Sequence, residues 1–411
     1  MEYSINDHLL KADIASDLNY MIKSIEDVHP DPYHSNSREY IHSLKDSILS
    51  VLPDTVSRNK AYLTFKRLTA AYGEGHTDVM LFITPVDLHK YQHSFPLWID
   101  SWNDSGFIVR DNAFDSIDIK SGDIITSING VPESFIKREI PKYSGESATY
   151  ALSQAMGLLF PLWIELLDIY SPFDIKFLRD GTEKSIKMHG VSAISYNNLY
   201  SEYLNANPPS YSFTIIENNI AYIEFNSFSN PKQFKKFLKR SFSDIRKNNC
   251  PGLIIDMRNN GGGMADLDIM LLDFINDKPY TWIYAKDTKI SRYHKEFQKA
   301  VASNYSNRAY NLKGREAYLE APDNTIYSER DTIVVTPGKN RLRYSGPVCF
   351  LTGPKCFSNA QSFIELVDDQ GIGTLIGEPL ETKPGGYADL CYFVLPASKF
   401  KFSTSTAYFF P

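Results

Sequence analysis

The sequence predicts an α/β protein with a helical start, a β-rich middle and a layered α/β end. Three changes of pattern along its 411 residues carry this reading. Apolar residues first recur at helical spacing. From about Phe95 the segments become short, β-branched and bounded by turns. After about residue 210, strands and helices alternate, the pattern of a layered sheet-and-helix domain. The length alone calls for more than one domain. The changes of pattern divide the chain into 1–90, 91–205 and 206–411.

In the first segment Leu9, Ile14, Leu18, Met21, Ile22 and Ile25 recur near a 3.6 period, and His29–Pro30 and Asp31–Pro32 break the run. Further helical runs cover Tyr40–Leu52 and Ala61–Tyr72 and end at Gly73 and Gly75. In the second segment Gly106–Arg110 and Asp123–Ile128 read as strands, with hairpin turns at Asn129–Gly130 and Asp180–Gly181. The stretch 119–130, ending Ser-Ile-Asn-Gly, resembles the turn and paired strands of a PDZ domain, either a module that adds an extended peptide to a sheet edge or a degenerate, structural form of one. The apolar run 155–170 reads as a helix burying one face, an insertion that would act as a lid or hinge. In the third segment the expected order is strand 220–225, helix 231–248, strand 252–257, helix 264–274, strand 347–352, helix 358–369, and strands 374–377, 390–395 and 400–408.

Composition narrows the function classes. Hydrophobic residues at 43% and charged residues at 22% exclude a disordered chain. The 43 Lys and Arg against 49 Asp and Glu leave a net charge of −6 without a basic cluster, which argues against a nucleic-acid partner. Cys250, Cys349, Cys356 and Cys391 have neither a disulfide-framework pattern nor a C-x-x-C metal spacing, and no metal or cofactor is expected. The most apolar run is too short and too interrupted to span a bilayer. The N-terminus has no basic-then-apolar secretion signal.

Two strand-to-helix junctions in the third segment can carry chemistry. In Leu253-Ile-Ile-Asp-Met-Arg-Asn-Asn-Gly-Gly-Gly-Met264 a buried strand runs into three glycines that open a helix. Backbone amides bared there suit an oxyanion; the lysine of a phosphate loop is missing. In Phe350-Leu-Thr-Gly-Pro-Lys-Cys-Phe-Ser-Asn-Ala-Gln-Ser-Phe363, Ser358 opens the next helix. A serine there is an ordinary N-cap or a nucleophile facing helix amides.

Together these segments resemble the C-terminal processing (tail-specific) serine peptidases. The family patterns LIxDLRNNxGG, SxSASE, GEPTxGK and xTTxxYxxP have counterparts at 253–263, 357–361, 377–383 and 403–408. Tyr72-Gly-Glu-Gly-His-Thr77 and His29-Pro-Asp-Pro-Tyr33 look like N-terminal motifs of exported members. The resemblance implies a crotonase-like (ClpP/crotonase-type) layered catalytic domain beside the helical and PDZ-like regions. It implies an endopeptidase acting on extended or unfolded polypeptides and exported to the cell envelope or periplasm. Ser358 matches the nucleophile, Lys383 the general base and Asp369 a supporting acid. The oxyanion would be held by the amides of Gly262 or Gly263 and of Asn359. A lysine must be desolvated to act as a base, since it ordinarily titrates near ~10.4.

The departures are Gln361 for the family's glutamate, Phe357 and Asn359 for small residues, and Glu381-Thr382 before Lys383. They leave two alternatives. One is a catalytically impaired protein that binds peptides or hydrophobic ligands on the same fold. The other is a tricorn-like hydrolase with His76 as base. Cys356, two residues before Ser358, is expected to make thiol reagents inhibitory by bulk.

Overall fold

The structure, a computed structural model, describes residues 8–80, 94–112, 114, 117–201, 209–304, 316–381 and 385–410. It is a mixed α/β chain with several sheets and two compact units. One unit takes Met1–Asn205, Thr288–Tyr327 and Asp389–Ala407; the other takes Ala206–Asp287, Ser328–Ala388 and Tyr408–Pro411.

The first unit opens with helices α1 (Lys11–Val28), α2 (Arg38–Val51) and α3 (Arg58–Ala70). The stripe Ile14, Leu18, Met21, Ile22 and Ile25 is the buried face of α1, as its spacing requires. Ser37 and Ser57 cap α2 and α3 by accepting the amides of Tyr40 and Lys60. Their core also takes Cys391, Phe393, Leu395, Phe400 and Phe402, so the helical start is completed by residues from late in the chain.

The β-rich part of this unit is an antiparallel sheet in sequence order: β1 (Trp98–Asn103), β2 (Gly106–Asp111), β3 (Ile124–Ile128), β4 (Phe173–Arg179) and β5 (Thr182–Met188). Asn129 and Gly130 lie at φ 52° and 76°, and Asp180 and Gly181 at 50° and 74°. Positive φ at both central residues is the type I′ geometry that matches strand twist, and it explains both predicted hairpins.

The stretch 155–170 is not one helix. Gly157 takes φ 64°, and a short helix, α4 (Phe160–Leu166), starts with a proline in its first turn and stops before Asp168 at φ 60°. Nor is it a lid. Phe160 and Ile164 are fully buried in the core of the β1–β5 sheet, and Phe160 meets the rings of Phe95 and Phe107 edge-on.

The second unit holds a five-stranded sheet: β6 (Tyr211–Ile216), β7 (Ile220–Phe225), β8 (Leu253–Asp256), β9 (Val348–Thr352) and β10 (Thr374–Gly377), in that order. Only β6 is antiparallel to its neighbour. The parallel strands are linked through α5 (Pro231–Lys247), α6 (Asp266–Ile275) and α7 (Asn359–Asp369). Phe234, Leu238, Phe242 and Ile245 form the buried stripe of α5. Strands β6, Tyr280–Lys289 and Ile326–Val335 and helix Arg292–Asn304 fall where the sequence reading placed connections. A further sheet orders Ile326–Val335, Tyr280–Lys289, Lys401–Phe409 and Gly386–Val394. Among the described residues no helix is long and apolar enough to cross a membrane.

Candidate active site

Parallel pairing brings the two strand-to-helix junctions together. Leu253 stands opposite Val348 and Asp256 opposite Leu351, so both strands end on the same side and their turns are neighbours. Ligand sites in such sheets form beyond the carboxyl ends of the strands. The amide of Phe357 donates to the Asn260 carbonyl at 3.1 Å, and that of Met257 to the Leu351 carbonyl at 3.0 Å.

Ser358 occupies the N-cap position of α7 without acting as a cap. Its backbone lies at φ 55°, ψ −129°, and its side chain accepts no helix amide. For a residue with a Cβ this conformation costs on the order of 1–3 kcal/mol, strain that functional sites store. A Cβ added to Gly262, itself at φ +96°, would lie 2.7 Å from the Phe357 oxygen, 2.8 Å from Ser358 Cβ and 2.9 Å from the Asn359 nitrogen. Only glycine allows this approach. Gly263 is as constrained, because a Cβ there would fall 2.2 Å from the Phe228 oxygen.

Gly262, Gly263, Ser358 and Asn359 therefore sit together, at the positive end of an eleven-residue helix. The amide of Gly262 is already used: it donates to Asn260 Oδ1 at 2.9 Å, and Asn260 is fully buried and donates onward to the Phe225 carbonyl. From the expected oxyanion set this leaves the amides of Gly263 and Asn359. Gly262 contributes space.

The side chain of Asn359 has a role invisible in the motif. It donates at 2.8 Å to Asp268 on α6, a fully buried carboxyl that burial pushes well above its ordinary range. The bond ties the head of the serine helix to the helix after the glycine turn. That turn is braced by Asp256, clamped by both Nε and Nη2 of Arg258 and bonded by the Tyr222 hydroxyl. Burial would raise the Asp256 carboxyl, but the Arg258 and Tyr222 bonds hold it below the usual value.

Asp369 is exposed at the last turn of α7, eleven residues from Ser358, or roughly 16 Å along the axis. The helix does not bring it to the serine. The acid found nearer is Glu365, which accepts from Gln361 Nε2 at 2.7 Å and from the amide of Gly385. Gln361 thus reads as the donor that orients Glu365, and the segment after 384 is tied to α7. Lys383 lies outside the described residues. Cys356 is fully buried, donates to the Met257 carbonyl, and has its thiol pushed up to about 11 by burial, so the expected inhibition by thiol reagents has no reactive group to start from.

His76 lies in the first unit, in a cluster built from both ends of that unit's sequence. Asp78–Val79 pairs with Phe402 and Ser403, so the 72–77 and 403–408 motifs are neighbours. Ser403 donates to the His76 carbonyl, and the Thr77 and Thr404 hydroxyls bond at 2.8 Å. Glu74 Oε2 accepts the amide of His76 at 2.6 Å and lies 3.9 Å from its Nδ1. Burial pushes the Glu74 carboxyl up to about 7 and the fully buried His29 imidazole down to about 3.

The sequence model of peptidase family S41 matches residues 219–406. No curated protein matches the chain by sequence. Among solved structures, mature CPAF superposes with a TM-score of 0.64 at 14% identity, over 96% of this chain and 89% of that one. Mature CPAF complexed with lactacystin gives 0.63 at 13% identity, over 96% and 90%. The photosystem II D1 C-terminal processing protease aligns over 98% of this chain and 89% of that one at 13% identity, with a TM-score of 0.41. At these identities the CPAF likeness shows a shared fold. The region 219–406 is thus a peptidase family S41 region, and the protein is a serine-type peptidase.

Proposed function

We propose that the protein is an endopeptidase of the C-terminal processing type, cutting extended or unfolded polypeptides through an acyl-enzyme on Ser358. The observation that carries this is the strained, non-capping Ser358 set against Gly262 at the head of α7. In the reaction, Ser358 Oγ attacks the scissile carbonyl carbon while its proton passes to the base. The carbonyl oxygen becomes an oxyanion facing the amides of Gly263 and Asn359. Collapse breaks the C–N bond, and the base returns the proton to the leaving amine. Water then repeats the sequence on the acyl ester.

Lys383 is the base in the first form of this proposal, a Ser-Lys dyad, on the strength of its place after the Gly377-Glu-Pro motif. The alternative form, a tricorn-like hydrolase with His76 as base, rests on the resemblance of the 72–77 motif. The remaining parts of the proposal are a crotonase-like layering for 206–411, an extended-peptide site on the PDZ-like sheet of 91–205, and export to the cell envelope. They rest on the sequence resemblance.

Labelling with a fluorophosphonate probe and cleavage of a disordered polypeptide test the reading. Wild type is expected to label and cleave, and Ser358→Ala to do neither. A folded wild type that does neither refutes the peptidase mechanism. Loss in Lys383→Ala with retention in His76→Ala selects the dyad; the opposite pattern selects His76.

A further inference from the structure

We propose that the exposed basic face of α5 is a substrate subsite that holds an acidic stretch of the polypeptide flanking the scissile bond. The proposal rests on Ser358 as the nucleophile and names a substrate class for it.

Helix α5 carries seven Lys and Arg and one acid, Asp244, in a chain whose net charge is −6. Lys232, Lys235, Lys236, Lys239 and Arg240 are all exposed. At about 100° per residue they share an arc of about 140°, turned away from the stripe of Phe234, Leu238, Phe242 and Ile245. Phe234, Phe237 and Leu238 interrupt them in sequence, so the cluster forms only once the helix is wound. Arg246 and Lys247 extend the face at the last turn, where a helix C-terminus itself favours cations.

Among the described residues none of these basic side chains has an ion pair. Lys232 precedes Lys235 and Lys236 by three and four positions, Lys239 follows the same two at those spacings, and Arg240 follows Lys236 by four. Each such like-charge pair opposes helix formation. A face kept only for solubility mixes both signs. This one concentrates one sign, so its counter-charge is to come from a partner.

The start of α5 is fastened to the serine junction within the same unit. The amide of Phe228 donates to the Gly262 carbonyl at 2.9 Å, and the Phe228 carbonyl accepts the amide of Met264 at 2.8 Å. The Phe228 ring, itself buried, lies 5.6 Å from that of Phe363 on α7. Lys232 follows Phe228 by four residues, at most ~14 Å of chain, and Arg240 stands roughly 12 Å further along the helix axis. An extended peptide rises ~3.3 Å per residue, so a stretch within about eight residues of the scissile bond reaches these cations.

The chemistry of the face favours a polypeptide over other polyanions. None of the exposed residues of α5 is apolar or aromatic, so there is nothing to stack on bases or to enter a bilayer. Lysine ammoniums on flexible stems are point charges that follow carboxylates spaced along an extended chain. The established substrates of a peptidase are polypeptides, and the face begins where the oxyanion turn is held.

The test uses the full chain and a disordered polypeptide whose cleavage site is mapped by mass spectrometry. Versions with a short block of Glu or of Gln are compared, the block lying first on one side of that site and then on the other. In about 0.05 M NaCl wild type is expected to show a KM for one Glu version at least about tenfold below that of its Gln partner, and about 0.5 M NaCl should shrink the gap to under about twofold. Lys232→Gln, Lys235→Gln, Lys236→Gln and Lys239→Gln combined should abolish the gap, and Arg at the same four positions should keep it. Binding of the Glu and Gln versions to Ser358→Ala, read by fluorescence anisotropy, should give the same ratio without turnover. Equal KM values for Glu and Gln in wild type, or a gap that survives the combined Gln variant, overturn the proposal and leave Ser358 as nucleophile. Sedimentation with vesicles of anionic phospholipid, lost in the combined Gln variant and found without any Glu–Gln gap, overturns it in favour of a membrane surface. A folded wild type that cleaves no polypeptide refutes the Ser358 mechanism; equal anisotropy binding of the two versions then overturns the subsite as well, and tighter binding of Glu supports it.

Discussion

Replacing Gly262 with alanine tests the geometry of the serine junction most directly. The added Cβ would stand 2.8 Å from Ser358 Cβ and 2.7 Å from the Phe357 oxygen, where ordinary contact begins at 3.4 Å. Relief requires a separation of 3.4 − 2.8 = 0.6 Å from the nucleophile's own Cβ. The neighbours are backbone and a short side chain, so nothing flexible can yield, and the strained Ser358 backbone must move. A misplacement of about 1 Å can cost on the order of 10² in rate, so a loss of tenfold to 10²-fold in kcat is expected. Alanine at φ +96° adds roughly 1–2 kcal/mol of backbone strain. Gly261 supplies the internal control: a Cβ there meets nothing within 4 Å, and its φ is not positive. The assay is steady-state cleavage of a disordered polypeptide with fluorophosphonate active-site titration, beside a thermal melt to confirm folding. A folded Gly262→Ala with wild-type kcat and labelling rate, or equal losses in Gly261→Ala and Gly262→Ala, would refute the claim that this close approach sets the nucleophile.

The two buried groups near His76 make opposite contributions to stability as pH changes. Glu74, raised from 4.5 to about 7, favours the folded state below pH 4.5, and the advantage is lost as pH rises through 7. By urea denaturation, the stability difference between wild type and Glu74→Gln should fall by about 3 kcal/mol across that window, and a pH-independent difference contradicts the assignment. His29, lowered from 6.5 to about 3, contributes in the other direction: its neutral form is compatible with the fold above pH 6.5, and stability is lost as pH falls through that range, a loss that His29→Gln should abolish. Cys356 should resist iodoacetamide at pH 8 in the folded protein without loss of activity, and rapid stoichiometric labelling would contradict its burial. Phe234, stacked on Phe225 at 5.1 Å and fully buried, should cost about 3–5 kcal/mol when replaced by alanine, measured by denaturant midpoint.

What the sequence made legible was local. The α1 stripe, the two type I′ turns and the strand–helix alternation each follow from spacing or from residues that accept positive φ. Ser358 and the glycine run were legible as motifs, and parallel pairing of β8 and β9 is what makes two distant motifs one site. The 155–170 stretch misled because its apolar spacing is helical while Gly157 and Asp168 take left-handed backbone at its ends. Asp268, Glu365 and Glu74 were missed because their meaning lies in partners without any periodic signal: Glu74 and Ser405 are 331 residues apart, and Asn359 and Asp268 are 91 apart. The Gly262 amide was assigned to the oxyanion because a glycine run bares its amides. Nothing in the run says that the side chain of Asn260 turns back to take one of them.

The placement of Ser403, Thr404 and Ser405 against the 72–77 turn bears on how the protein is made. Synthesis proceeds from the N-terminus, and early segments can begin folding before late ones exist. Helix α3 and the Glu74–His76 turn emerge more than three hundred residues before the strand whose hydroxyls bond to Glu74 Oε1, to the His76 carbonyl and to Thr77. Until that strand has left the ribosome, the turn lacks these partners and its carboxyl lacks its cover. The nascent chain therefore carries this cluster unassembled while more than three hundred further residues are added.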